Sequence, residues 1–442
     1  MAGILSMKGV HPPEKKRFSS SKEIEDFPTP SEVFIPLQQH IGAPLEPLVE
    51  KGDEVKRGEK LADSEAFVSA PVHASIGGTV KGIEKILVPG GGKKDAVRIS
   101  AGDDQELKRL DQWSEDKKKI TAQEIRDLVR EAGISGMGGA MFPTHVKLSV
   151  PEDKEIDHFI LNGAECEPYL TIDHRIMVEK SHQVLRGFKL LMKAVDVENG
   201  TIAIEENKPD AISKMKETVS GEKNIEVEVL PAQYPQGGET VLIKTLLDRE
   251  VPVGGLPLDV GVIVNNVATA AAVHSAVDEG RPMIDRPLTV TGHAAAEPAN
   301  YIVPLGTLFS EVIEEAGGTS GELGKIVAGG PMLGRAQPSA EVPVVKGTSG
   351  ILLLKKDEVE KYDPDPCIKC AKCVDVCPCD LMPTDLEKFA RKEKLEKLEE
   401  YKVINCIECG SCSYICPSQR PLVHYIRLGK TKLNEQQNSE SE

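Results

Sequence analysis

Eight cysteines toward the C-terminal end of this sequence are spaced to hold iron–sulfur clusters and so to pass electrons one at a time. Cys367-x-x-Cys370-x-x-Cys373-x-x-x-Cys377-Pro378 is followed by Cys406-x-x-Cys409-x-x-Cys412-x-x-x-Cys416-Pro417. In such a run three closely spaced thiolates wrap three corners of a 4Fe–4S cubane on one tight loop. The fourth, followed by Pro, leaves that loop and ligates the other cluster. The expected ligand sets are Cys367, Cys370, Cys373 and Cys416 for cluster I, and Cys406, Cys409, Cys412 and Cys377 for cluster II. Sharing ligands this way forces the two clusters close together. Paired zinc sites are the competing reading, but zinc knuckles join C-x-x-C pairs over longer loops and lack the trailing Cys-Pro. Nine of the ten cysteines crowd between Cys367 and Cys416. A disulfide framework would spread them over a small secreted chain, so the crowding points to metal in a reducing compartment.

Four polar segments upstream could hold a phosphorylated, heteroaromatic cofactor. They are the glycine loop Gly133–Ala140 with Phe142 and Lys147 after it, Asn162-Gly-Ala-Glu165-Cys-Glu167-Pro168, Gly237-Gly238-Glu239-Thr240, and Asn265-Asn266-Val-Ala-Thr269. The glycine loop follows a helix and not a strand, so it lacks the context of a dinucleotide fingerprint. Alone it reads as a flexible turn. The set gains meaning because polar loops at strand C-terminal ends converge where an α/β sheet places ligands. Glycine amides and a lysine suit phosphate, and paired Asn side chains suit the edge of a ring. The bland readings are a helix-capping turn for Asn265-Asn266 and a first-turn charge for Glu239.

The elements that must position these groups divide the 442 residues into several units, since the chain is too long for one ordinary domain. Residues 1–30 are rich in Pro, Ser and Lys and read as an extension wrapping a neighbouring domain. Residues 31–105 alternate short β-branched runs with Gly and Pro, which predicts a small all-β barrel or sandwich. From the capping box Thr121-Ala-Gln-Glu124, residues 120–282 read as βαβ units on a mostly parallel sheet. Its expected strands are 158–161, 201–205, 225–230 and 260–264. Residues 283–356 read as a small α+β unit, and 360–428 as the cysteine domain. Within the latter, 385–401 reads as one solvated helical spacer with Leu386, Phe389, Leu395 and Leu398 turned inward. Residues 429–442 are polar and read as disordered. A net charge of −16 argues against nucleic acid or anionic lipid as the main partner. No apolar run approaches the ~20 residues of a bilayer helix, and Lys8, His11 and Pro12-Pro13 interrupt any signal-peptide pattern.

Several stretches, in this order, resemble the RnfC family, the C subunits of Rnf complexes, which are ion-pumping NAD:ferredoxin oxidoreductases. They are Gly9-Val-His-Pro-Pro13, Pro36-Leu-Gln-Gln-His-Ile-Gly42, the four polar segments, Gly329-Gly-Pro-Met-Leu-Gly334 and the doubled cysteine motif. The central segments are also similar to the NADH-oxidising flavoprotein of respiratory complex I. The resemblance implies a multidomain α/β protein: a barrel-sandwich hybrid, an FMN/NADH-binding α/β domain, a β-grasp unit of the SLBB type and an α-helical two-cluster ferredoxin domain. The barrel resembles lipoyl carriers, yet Asp63-Ser-Glu-Ala-Phe67 offers no lysine at the hairpin tip, so a docking role is expected. The implied activity is NADH-dependent electron transfer through FMN and two 4Fe–4S clusters. Implied partners are membrane-embedded and iron–sulfur subunits and, indirectly, ferredoxin, at the cytoplasmic face of the membrane. Carried over by position, Gly136, Gly138 and Gly139 would line phosphate with Lys147 adding charge. Asn162, Glu165, Asn265, Asn266 and Thr269 would surround the flavin, and Phe142, Glu167 and Glu239 would contact nucleotide. Hydride transfer needs no side-chain acid, base or nucleophile, and none is assigned. Ser135 and Met137 replace arginines of the complex I loop, and Ala164 replaces an Asp. A cobalamin-reductase-like protein and an electron-carrying adaptor with a decayed flavin site are the alternatives.

Overall fold

β-Branched residues at alternate positions organise the first unit. Val33 and Ile35 on strand Glu32–Pro36, Val80 on Gly78–Leu87, and Val97 and Ile99 on Lys93–Ala101 are all buried, as one face of a pleated strand requires. The structure is a computed structural model that describes residues 8–111, 113, 120–359 and 363–441, with side chains described through 437. These strands and Glu54–Val55 make an antiparallel sheet that shares its core with a second sheet of Glu46–Pro47, Lys60–Asp63 and Val72–His73. The hairpin tip does not swing. Asp63 pairs with Arg130 at 2.7 Å and with Lys60 at 3.0 Å, and the His145 ring nitrogen lies 3.0 Å from the Phe67 carbonyl oxygen. Arg130 belongs to helix Ala122–Glu131, so the tip is docked on the next unit.

That unit is a four-stranded, all-parallel sheet in the order Ile225–Leu230, Gly200–Glu205, His158–Asn162, Val262–Asn266. The last strand lies two residues later than expected, because Pro257–Val260 forms a 3-10 turn. Asn265 and Asn266 therefore end the strand instead of following it. Helices Ser181–Ala194 and Val267–Glu279 approach closely at Gly187, where a Cβ would overlap the Ala270 carbonyl. Helix Ile172–Glu179 was not expected. Its first amides are capped by a carboxylate from outside the helix: Asp173 N donates to Glu165 Oε1 at 2.7 Å and His174 N to Oε2 at 3.2 Å.

A six-stranded mixed sheet follows, ordered Ile24–Asp26, Ala299–Pro304, Asp285–Thr291, Gly350–Lys355, Leu323–Ala328, Arg335–Gln337. The N-terminal extension is thus tied down by contributing an edge strand. Asn300 and Pro304 argue against a strand on propensity. Asn300 is tolerated because its Nδ2 donates to the Ser19 and Lys22 carbonyls at 2.9 and 3.0 Å. The buried Lys346 joins three units, its Nζ donating to Pro71 O at 2.7 Å and Gly133 O at 2.6 Å.

The cysteine unit corrects two expectations. The stretch 385–401 is no solvated spacer but two helices, Pro383–Arg391 and Leu395–Glu400, broken at Glu393, whose φ is +50°. Leu386 and Leu398 form a core with Ile426 and Leu433, and the buried Glu387 accepts from Arg420 Nη2 at 2.7 and 2.8 Å and from Arg391 Nη1 at 3.3 Å. The tail, read as disordered, continues as helix Leu422–Ser441. Leu433 is buried in that core and Lys432 pairs with Glu393 at 2.6 Å, so tertiary contacts outweigh a polar composition. Among the described residues no helix is long and apolar enough to cross a membrane.

Candidate functional site

The C-terminal ends of two parallel strands, the 235–240 segment and the glycine loop enclose a cavity of about 450 Å³, within the ~300–1,000 Å³ of small-ligand sites. Gly136, Gly138, Phe142, Lys147, Asn162, Glu165, Glu167, Glu239, Asn265 and Asn266 all line it. Thr269 sits behind the wall, its Oγ1 accepting the Met137 amide at 3.0 Å and so shaping the loop. Gly139 takes a left-handed φ of +106° with open space around it.

The side chains differ in what they have free. Asn162 Nδ2 donates to Gly237 O at 2.8 Å, locking two loops together. Asn266 is the capping residue: its Oδ1 accepts Ala268 N at 2.8 Å and its Nδ2 donates to Asp173 at 2.6 Å. Asn265 behaves otherwise. It is buried at the cavity wall, and its Nδ2 has no hydrogen-bond partner among the described residues. Buried donors are rarely left unmade, so this one fits a carbonyl or ring nitrogen of a bound heterocycle. Lys147 pairs with Glu239 and donates to Val264 O at 2.9 Å. Glu165 serves the helix cap described above, and Glu167 accepts Leu333 N at 2.6 Å and Met332 N at 3.1 Å. Two of the three carboxylates read as cofactor contacts are thus engaged by backbone amides, and the third, Glu239, by Lys147.

Several contributors had no local sequence signal. Arg286 is fully buried, and donates from Nη2 to Met137 O at 2.7 Å and from Nε to Thr348 O at 2.7 Å. A cation from the mixed sheet therefore stands behind the loop whose arginines are absent. Burial lowers its pKa to about 10, while Asp173 and Glu165 nearby oppose that shift. Asp173 also lines the cavity. Burial and the neighbouring Glu165 push its carboxyl up to about 7. An acid with a raised folded-state pKa makes stability fall as pH rises between its unfolded and folded values, here from about 4 to about 7. Asp173→Asn is accordingly expected to match the parent near pH 4 and to exceed it by about 2–4 kcal/mol at pH 8. Urea denaturation of the cofactor-free protein at the two pH values checks this.

The cysteine loops meet as two sites. Cys377, Cys379, Cys406, Cys409 and Cys412 line one small cavity, and the Cys412 thiol interacts electrostatically with Cys377, Cys406 and Cys409. Cys373 interacts likewise with Cys416 and Cys367. Cys367 and Cys370 are exposed, whereas Cys409 and Cys412 are buried. Burial pushes the Cys406 thiol up to about 11. Thiolates in this spacing suit a 4Fe–4S cluster, and among the described residues no group of three His, Cys, Asp or Glu side chains stands close enough to hold a metal ion. Ile407 and Cys409 also line the cavity described above, and Tyr234 Oη donates to Cys409 O at 2.6 Å.

Comparison with known proteins matches this architecture. The RnfC barrel sandwich hybrid domain matches residues 5–105, the Nuo51 FMN-binding domain 129–275, the SLBB domain 287–336 and the 4Fe-4S dicluster domain 360–417. The C subunit of the proton-translocating ferredoxin:NAD(+) oxidoreductase complex of Clostridium ljungdahlii is 47% identical over 87% of this chain and 84% of its own. Its counterpart in the Na(+)-translocating complex of Acetobacterium woodii is 42% identical over 96% of both chains. The C subunit of the ion-translocating oxidoreductase complex of Rhodobacter capsulatus is 40% identical over 97% of this chain and 83% of its own. Among solved structures, an NAD+-reducing [NiFe]-hydrogenase in the H2-reduced state aligns with a TM-score of 0.49 at 18% identity, over 73% of this chain and 63% of that one. With an FMN-binding domain, a 4Fe–4S dicluster domain and identities of this level along almost its whole length, the chain belongs to the RnfC family, the C subunits of Rnf-type ion-translocating ferredoxin:NAD+ oxidoreductases.

Proposed function

We propose that this chain exchanges electrons with NADH as the NAD-handling subunit of an Rnf-type complex, peripheral on the cytoplasmic face of the membrane. Membrane-embedded and iron–sulfur subunits would be its neighbours, and ferredoxin would be reached through them. The observation that carries the reading is that Cys409 lines both the small cavity it shares with Cys377, Cys406 and Cys412 and the large cavity proposed for FMN.

FMN, when bound, supplies the change from two-electron to one-electron chemistry, and the protein supplies position. Gly138 and Gly139 offer backbone amides to its phosphate, with the Lys147–Glu239 pair beside them, while the Gly136 amide donates to Phe142 O at 2.8 Å and holds the loop closed. Asn265 Nδ2 provides the free donor for the ring edge. Phe142, Leu333 and Ile407 wall the cavity with apolar surface. The site sharing Cys409 is then nearest the cavity. The site of Cys367, Cys370, Cys373 and Cys416 lies beyond it, with two exposed thiols and Ile368, 67% exposed, at the surface. That order makes the second site the exit toward a docked partner.

Anaerobic titration of the reconstituted protein with NADH tests this. Bleaching of a flavin band followed by loss of iron–sulfur absorbance is expected. Iron–sulfur absorbance with no bound flavin and no response to NADH would leave only an electron-carrying adaptor. Cobalamin offered as acceptor should remain unreduced.

A further inference from the structure

We propose that Glu167 is a positioning residue, one that ties the loop 329–334 of the mixed sheet between the FMN cavity and the Cys377/Cys406/Cys409/Cys412 site. The inference rests on the electron route just proposed. It also departs from the nucleotide contact that the resemblance implies for this residue.

Two backbone amides of the loop converge on the carboxylate, Leu333 N on Oε1 at 2.6 Å and Met332 N on Oε2 at 3.1 Å. Gly330 lies so close that a Cβ there would overlap the same carboxylate. The loop thus approaches Glu167 at its narrowest residue and binds it just beyond. The two amides it presents lead to the two sites. Leu333 lines the cavity. Met332 packs in one apolar cluster with Cys409, Cys166 and Ile407, and a Cβ on Gly410, next to Cys409, would stand 3.0 Å from the Met332 carbonyl oxygen. One carboxylate therefore sets the distance of a foreign loop from both the cavity and the cysteine loop. Two converging N–H donors call for two acceptor oxygens. Glutamine offers one, and turns an NH2 group toward the other amide.

Glu167→Gln and Gly330→Ala in the full, reconstituted chain test the assignment. Three quantities are read: the KM for NADH in flavin bleaching, the rate of the iron–sulfur bleaching that follows, and amide hydrogen exchange at Met332 and Leu333 in cofactor-free protein. Both variants should slow the second phase and speed exchange by about tenfold, the factor for losing one hydrogen bond to a charged group. A raised KM in Glu167→Gln with the second phase and exchange unaltered would make Glu167 a nucleotide contact and overturn the proposal. So would a variant pair that changes nothing. If the parent protein shows no NADH response, the electron route fails, while exchange still decides whether Glu167 holds the loop. If Glu167→Gln does not fold, Gly330→Ala, which displaces the carboxylate from the loop side, decides the matter alone.

Discussion

Cys416→Ser is expected to empty the iron site of the first cysteine motif, although Cys416 belongs to the second. Its thiol interacts with Cys373, while Cys377 lies with Cys406, Cys409 and Cys412. The variant should lose about half of its iron. NADH should still bleach the flavin, and the site sharing Cys409 should still accept electrons. Transfer to an external acceptor should collapse, because the exposed exit is gone. Cys377→Ser should do the reverse, disabling the site next to the cavity and leaving electrons stranded on the flavin side. Iron content and electron paramagnetic resonance of the two variants separate these outcomes. Loss of the second-motif signal in Cys416→Ser would mean that each motif ligates its own cluster.

Lys16→Met should be as damaging, although Lys16 belongs to neither cysteine motif. The Lys16 side chain is 9% exposed and its ammonium donates to the carbonyls of Glu165 at 2.8 Å, Glu167 at 3.1 Å and Leu170 at 2.7 Å. The neighbouring Lys208 takes the Ala164 carbonyl at 2.5 Å. Two buried lysines thus hold the peptide oxygens of one cavity loop. Burial, with Lys208 close by, lowers the Lys16 pKa, so the loop's carbonyls keep a costly charge in place. Methionine fills the space but leaves several carbonyls without a donor. Removing one partner from a buried polar network of this kind costs about 3–5 kcal/mol. The expected result is an earlier urea midpoint and loss of FMN into the filtrate on purification. An unchanged midpoint with full flavin content would show that water replaces the ammonium without penalty.

What could be read without a structure was local. Cysteine spacing names ligands because three of each set lie on one short loop. The period-2 and period-3.6 patterns of Val33–Ile35 or Val184–Leu191 report a face that must be buried. The capping box at Thr121 and the strand ends at Asn162 and Asn265 carry their signals within a few residues. Misreadings arose where a distant partner decided the outcome. The helix at Ile172 is capped by Glu165, and the polar tail is ordered because Leu433 finds a core on helices of the same unit.

The sequence by itself therefore determined the doubled cysteine motif, the four kinds of domain and the polar loops that line the cavity, since each rests on residues close together along the chain. Only the tertiary structure decided which cysteine of the doubled motif, Cys409, lines that cavity. It also decided that Asn265 and not Asn266 keeps a free donor, and that the cations behind the loops are Lys16, Lys208 and Arg286. These are hydrogen bonds and packing between segments mostly remote in sequence. Their geometry depends on how the domains dock, and no local spacing encodes it.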